Sequence, residues 1–412
     1  MIMILIYNGA IHTLLSLLFI ATLKKFVSFM PAIALCIGAG ALLSGCGGAE
    51  KTTLSPVAQL GAKAFVDPIL SASGRQSCAT CHAAQTGHAA PNDLAVQFGG
   101  VDMTLQGLRN SPSLRYLARN TAFHFDDEGT PTGGFFWDGR ADSLSSQAAG
   151  PLLGAREMAN PDKAAVVAKI AQSRWADEFK AVFGANILLN VDQAFDKLTL
   201  ALQQFQLEDA GFNAYSSKFD AVLRGQTTLS EQEARGLALF NDPAKGNCAS
   251  CHPSSIQADG QHPLFTDFTY DNLGIPRNTA IDANADASYF DLGLCARAGL
   301  EDRTDLCGAF KVPSLRNVAL RKSFFHNGKF KTLKDALTFY VQRDTQPQKW
   351  YPLNNDNSVN KFDDLPLIYR GNVNTSEAPY NRGVGDAPAL SDAEIDDVIA
   401  FLNTLSDNWS AP

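Results

Sequence analysis

The sequence predicts an all-α chain of two similar units, with long loops and little β structure. Three observations predict it. Apolar residues recur at helical spacing in several windows, and no window sustains the alternation of a strand. A segment near residue 60 is echoed near residue 235. The intervening Gly/Pro/Asp-rich stretches, such as residues 124–143 and 343–389, are too long for simple connections and need something other than regular hydrogen bonding to order them. A chain of 412 residues suits two domains or a little more, and 45% apolar against 18% charged residues marks it as globular. The net charge of −8 comes without a basic block, which argues against a nucleic-acid partner.

Residues 1–45 read as a leader. Lys24 and Lys25, the apolar run "MPAIALCIGAGALL" and the closing "LSGC" form the parts of a secretory signal. Leu43–Cys46 looks like the lipobox of a bacterial lipoprotein, in which case cleavage falls before Cys46 and that thiol carries lipid. The alternative is an uncleaved membrane anchor. Either way the remainder lies outside the cytoplasm, and the expected setting is the periplasm of a Gram-negative bacterium, touching the membrane only through the lipid anchor or leader. In that oxidising setting Cys295 and Cys307, twelve apart in a loop, are expected to form a disulfide.

The first unit spans residues 46–227 and the second residues 228–412. "LGAKAFVDPILSASGRQSCATCH" and "RGLALFNDPAKGNCASCH" share a short helix, a turn and a cysteine pair. Ser230 with Glu233 forms a capping-box start, and Ser391 repeats that logic before an amphipathic helix whose apolar face holds Ile395, Val398, Ile399 and Leu402. Between the cysteine pairs, "KAAVVAKIAQSRWADEFKAVFG" and "VDQAFDKLTLALQQFQ" read as two further helices.

The pentapeptides "CATCH" (78–82) and "CASCH" (248–252) carry the chemistry. C-x-x-C-H is the attachment signature of haem c. Two thiols at that spacing each add across a vinyl group, and the next histidine lies under the iron. A redox dithiol would want a βαβ setting and a zinc site four ligands at finger spacing; neither is visible. Cys78, Cys81 and His82 therefore hold one haem, and Cys248, Cys251 and His252 a second.

"RNSPSL" (109–114), "FFWDGRADSLSSQAAGP" (135–151), "FKVPSLRNVAL" (310–320) and "FFHNGKFKTLKDALTFY" (324–340), threaded between those motifs, resemble the bacterial di-haem cytochrome c peroxidase and MauG superfamily. The resemblance runs from about residue 55 to 410 and implies two cytochrome c-like domains. In the peroxidases a methionine in the helix after the block matched here by "FFHNG" ligates the electron-transfer iron. Here the position fourteen residues after His326 is Tyr340, and no methionine follows Met158. The tyrosine looks like the MauG branch, which includes MbnH-like enzymes. A hard anionic oxygen favours ferric and higher states. His326 is expected near a haem edge. No histidine precedes "RNSP" within "FGGVDMTLQG", and His88 reads as a loop residue, so the first iron is expected to keep an open face.

Other family positions are altered. The distal acid is expected near Ser145 and its glutamine partner at Phe135, so the replacement acid is sought among His124, Asp126, Asp127 and Glu128. Trp137 is the candidate relay between the haems. The resemblance also implies calcium between them, held by the Asn110 side chain and the carbonyls of Arg321 and Ser323. The function implied is a lipid-anchored periplasmic oxidoreductase. It would use hydrogen peroxide to reach a high-valent di-haem state and oxidise a side chain, such as tryptophan, of a partner protein. The alternatives are a cytochrome c peroxidase drawing electrons from a small redox protein, and a non-enzymatic di-haem carrier.

Overall fold

Each cysteine pair is preceded by a helix with a glycine where nothing larger fits. The computed structural model describes residues 53–411; the leader, Cys36 and Cys46 lie outside that range. Helix α1 (Pro56–Val66) starts at Ser55, whose hydroxyl accepts from the Ala58 N–H at 3.2 Å. The short α2 (Cys78–Cys81) carries the first thiols. Helices α3 (Leu144–Leu153), α4 (Lys163–Gln172), α5 (Ala176–Phe183) and α6 (Val191–Glu208) follow. A Cβ on Gly61 of α1 would stand 1.9 Å from the Ala201 carbonyl oxygen of α6, so glycine is what lets the two backbones meet.

The second half repeats the device. Helix α7 (Lys218–Leu223) leads to α8 (Glu231–Asn241), and later come α9 (Leu333–Gln342) and α10 (Asp392–Asn403). A Cβ on Gly236 of α8 would stand 2.0 Å from the Asp397 carbonyl oxygen of α10. Capping boxes at Ser230/Glu233 and Ser391/Glu394 start α8 and α10 as the spacing predicts.

Strand is confined, among the described residues, to three antiparallel ladders of two residues per strand. These are β1 (Phe98–Gly99) with β2 (Leu105–Gln106), β3 (His124–Phe125) with β4 (Pro131–Thr132), and β5 (Tyr270–Asp271) with β6 (Phe310–Lys311). The all-α class holds. One predicted helix is corrected: residues 163–184 form α4 and α5, broken at Ser173. The Ser173 hydroxyl donates to the Ile170 carbonyl, and Trp175 turns inward to donate to Asp67 at 2.9 Å. Burying that indole outweighs helical continuity.

Two hydrophobic cores result. One packs Leu60, Phe65, Leu152, Ile170, Phe179 and Leu198. The other packs Phe240, Phe265, Phe339, Ile395 and Phe401, and reaches back to Phe219 on α7. Each fully buried side chain of this size contributes roughly 1.5–3 kcal/mol. Cys295 and Cys307 form a disulfide that closes a smaller cluster with Leu294, Leu300 and Leu306. No helix of the described residues is long and apolar enough to cross a membrane.

Candidate functional site

The histidine of each pentapeptide is oriented by backbone carbonyls. His82 Nδ1 lies 3.1 Å from the carbonyl oxygens of both His88 and Pro112, and His252 Nδ1 lies 2.7 Å from that of Phe265. A ring nitrogen facing a carbonyl must carry the hydrogen, which leaves Nε2 of each ring with a free lone pair for a metal. Burial pushes His82 down to about 4 and lowers His252, so both rings are neutral, the form that ligates. The "PSL" turns repeat as well. Ser113 Oγ donates to the Gly87 carbonyl and Ser314 Oγ to that of Leu264, each at 2.6 Å.

Burial pushes the Cys78 and Cys248 thiols up to about 12 and those of Cys81 and Cys251 to about 11. A redox dithiol or zinc pair needs the opposite shift. Thiols beside a neutral imidazole at the wall of a cavity do fit a covalent haem.

His82 lines two adjoining cavities of about 560 and 100 Å³, the smaller of which also holds Cys78 and Cys81. Gln147, Pro151 and Glu157 line both. Glu157 is exposed by surface area, yet the crowding of protein around it raises its carboxyl above the ordinary range, Arg140 opposing only in part. Its exposed surface lines the two cavities. Phe136 sits here at φ +68°, costly for a bulky residue, with the Arg140 guanidinium 3.6 Å over its ring.

The second cavity, about 180 Å³, brings together Cys248, Cys251, His252, His326, Tyr340 and Tyr380. Tyr340 sits on α9 with its ring 5.5 Å from Phe325 and 6.0 Å from Tyr380. Burial, with Asp271 nearby, raises its phenol well above 10, so forming a phenolate there needs a cation such as ferric iron. His326 stacks on Phe310 at 3.5 Å, and Phe325 has φ +64°. The segments around the two cavities are built alike. Phe135 bridges Ala141 as Phe324 bridges Phe330, and Trp137 occupies the register of His326. Pro151 follows Trp137 by the same fourteen residues that separate Tyr340 from His326.

Trp137, Lys311, Pro313 and Arg321 line both the first and second cavities and so form part of the wall between them. The Trp137 indole donates to the Asn110 carbonyl at 2.8 Å. Asn110 and Ser323 are fully buried, as the calcium expectation requires, but the oxygens are in use. Asn110 Oδ1 accepts from Arg321 Nη2 at 2.7 Å, and the Ser323 carbonyl accepts from Arg321 Nε at 3.4 Å. A donor cation occupies two of the three oxygens assigned to the metal, Asn110 Oδ1 and the Ser323 carbonyl, so this arrangement does not fit calcium.

The acids sought in sequence lie elsewhere. His124 and Glu128 are exposed on the β3–β4 hairpin, and neither lines a cavity described above. Asp126 Oδ1 there accepts from the Glu128 and Thr130 N–H groups, ordering a turn. Ser145 Oγ donates to Thr199 Oγ1 at 2.9 Å and ties α3 to α6, and Phe135 is a core residue. Three carboxyls line the first cavity: Asp138 and Asp291 each pair with Arg109 at 2.6 Å, and Glu157, twelve residues beyond Ser145, has no ion pair among the described residues. Its segment "GAREM" lies past the 135–151 block, and its place just beyond "AAGP" is the one signal its sequence carries.

A family profile described as di-haem cytochrome c peroxidase matches residues 55–228. The chain is 39% identical over 363 residues to the methylamine utilization protein MauG of Paracoccus denitrificans, covering 86% of this chain and 90% of that protein. It is 32% identical over 288 residues to cytochrome c551 peroxidase of Nitrosomonas europaea, covering 68% and 71%. The crystal structure of the diheme peroxidase BthA from Burkholderia thailandensis matches with a TM-score of 0.80 at 40% identity, covering 86% of this chain and 87% of that one.

Proposed function

The chain belongs to the di-haem cytochrome c peroxidase and MauG family, a family of peroxidase-type oxidoreductases, and from that premise we propose that it uses hydrogen peroxide to oxidise a side chain of a partner protein. Membership implies two haem c groups. When bound, they supply the iron that exchanges electrons with peroxide. The observation that carries the reading is the pair of residues at one register: Pro151 has no donor to offer an iron, whereas Tyr340 offers a phenol oxygen.

The residues of the chain divide the remaining work. His82 and His252 would hold the haem irons through Nε2. The Glu157 carboxyl, with its raised affinity for a proton, moves that proton between the two peroxide oxygens, and Gln147 helps orient the bound peroxide. Peroxide takes two electrons and two protons and leaves as two waters. The oxidised side chain supplies those electrons, and Trp137, lining both cavities, stands on their path. No step passes through calcium, because Asn110 Oδ1 is already bonded to Arg321. The setting in this reading is the periplasm, with Cys46 as the lipid anchor.

Tryptophan is the expected target, and the identity to MauG supports a protein substrate. The similarity to a cytochrome c551 peroxidase supports the second reading, in which a small redox protein supplies the electrons. The test is to give the purified di-haem protein peroxide together with candidate partner proteins and reduced small cytochromes. Partner side chains altered by mass spectrometry, with slow cytochrome oxidation, are expected. Rapid cytochrome turnover with unaltered partners would overturn the proposal.

A further inference from the structure

Asn110 has no polar group to spare. Its N–H donates to the His326 carbonyl at 2.7 Å and its carbonyl accepts from Trp137 at 2.8 Å. Its Nδ2 donates to the Ala95 carbonyl at 3.0 Å and to Ser323 Oγ at 2.5 Å, leaving Oδ1 to accept from Arg321 Nη2. The amide cannot be turned over, since its NH₂ group would then face the guanidinium, donor against donor. Arg321 also reaches the Ser323 and Ser111 carbonyls, both at 3.4 Å. All its acceptors are neutral oxygens, and among the described residues no carboxylate pairs with it. A cation, three neutral oxygens and a position lining both cavities is the composition of a metal site with the metal replaced.

We infer that the Arg321 guanidinium is the resident cation between the two haem sites and that this chain works without calcium there. The two cannot share the site. Calcium takes six to eight oxygens, so it would have to strip the guanidinium from Asn110 Oδ1 and then sit beside its positive charge at short range in protein. Arg321 also acts as a positioning residue: by holding the Asn110 side chain it fixes the carbonyl that orients Trp137. None of this depends on which donor reduces peroxide.

The di-haem protein is incubated with calcium, desalted and assayed for bound metal, and its visible spectrum and melting temperature are recorded with calcium or with EGTA. No stoichiometric calcium, and identical spectra and melting in both, are expected. One bound calcium whose removal by EGTA shifts the spectrum or the melting temperature overturns the inference. Arg321→Thr frees Asn110 Oδ1 while keeping the backbone carbonyls, and it is expected to gain calcium-dependent melting and spectra. Arg321→Lys keeps a cation and is expected to remain indifferent to calcium. If Arg321→Thr takes up no calcium and matches the wild-type spectrum and melting temperature, Arg321 does not fill that place.

Discussion

Beside His82 the chain runs from Phe135 through Trp137 to Pro151; beside His252 it runs from Phe324 through His326 to Tyr340. Both segments bend through a left-handed phenylalanine, both close a β-bridge, and both continue into a helix. They differ in what they offer at the fourteenth residue and in the acid beside it. The first cavity has proline and glutamine beside Glu157; the second has two stacked phenols beside Asp271, burial raising both carboxyls. In the proposed reading, one scaffold thus yields a site that admits a small oxidant and a site whose phenol would cap its metal. Duplication fixes the geometry, and single side chains assign the roles.

The harshest way to break this comparison is to delete one side of it. Cys248→Ala with Cys251→Ala is expected to halve the covalent haem per chain in a pyridine haemochrome assay, leaving the spectrum of the first site. An undiminished count would mean that the second cavity is not a haem site.

Glu157→Gln separates the two sites by chemistry. Peroxide-driven turnover should fall by about 10²–10⁴-fold, the usual span for losing a positioned acid-base group. Glu128→Gln, on the exposed hairpin, should leave turnover unchanged. Because burial raises the Glu157 carboxyl, the acidic limb of the pH profile should lie above the ordinary carboxylate range and vanish in Glu157→Gln. Equal losses in both variants would return the proton donor to the hairpin.

Tyr340→Phe sharpens the comparison from the other side. The optical and paramagnetic resonance signals of the second iron should change while those of the first stay put. Pro151→Ala, which adds no donor, should alter neither spectrum. A Tyr340→Phe protein spectrally identical to wild type would remove the basis for assigning different roles.

The smallest effect concerns Asp364, which accepts from Asn327 beside His326 and pairs with Arg277, each at 3.2 Å. Burial outweighs these partners and raises its carboxyl to about 7. Between about pH 4 and 7 the unfolded chain releases a proton that the folded chain keeps, so this contribution to stability is complete below pH 4 and lost as pH rises through 7. Asp364→Asn should flatten that slope, shifting the melting temperature relative to wild type by about 2 °C per kcal/mol in a chain of this size. Parallel pH profiles for the two proteins would discard it.

Much of the fold was legible because its determinants are local. Capping serines, helical apolar spacing and the Gly-x-x-x-Phe echo act within a few residues of each other, and they predicted an all-α chain of repeated design. The break between α4 and α5 was not legible, since it depends on Trp175 finding Asp67 more than a hundred residues away.

The sequence by itself determined the places where covalent chemistry is dictated by adjacency: thiols two apart, histidine next, and a tyrosine instead of a methionine at one register. Only the tertiary structure decided which carboxyl of the first cavity stays free of an ion pair and which cation sits on Asn110. The local sequence around Glu157 and Arg321 does not state their roles, because a proton donor is defined by the space it faces and a buried charge by the oxygens that long-range packing brings to it.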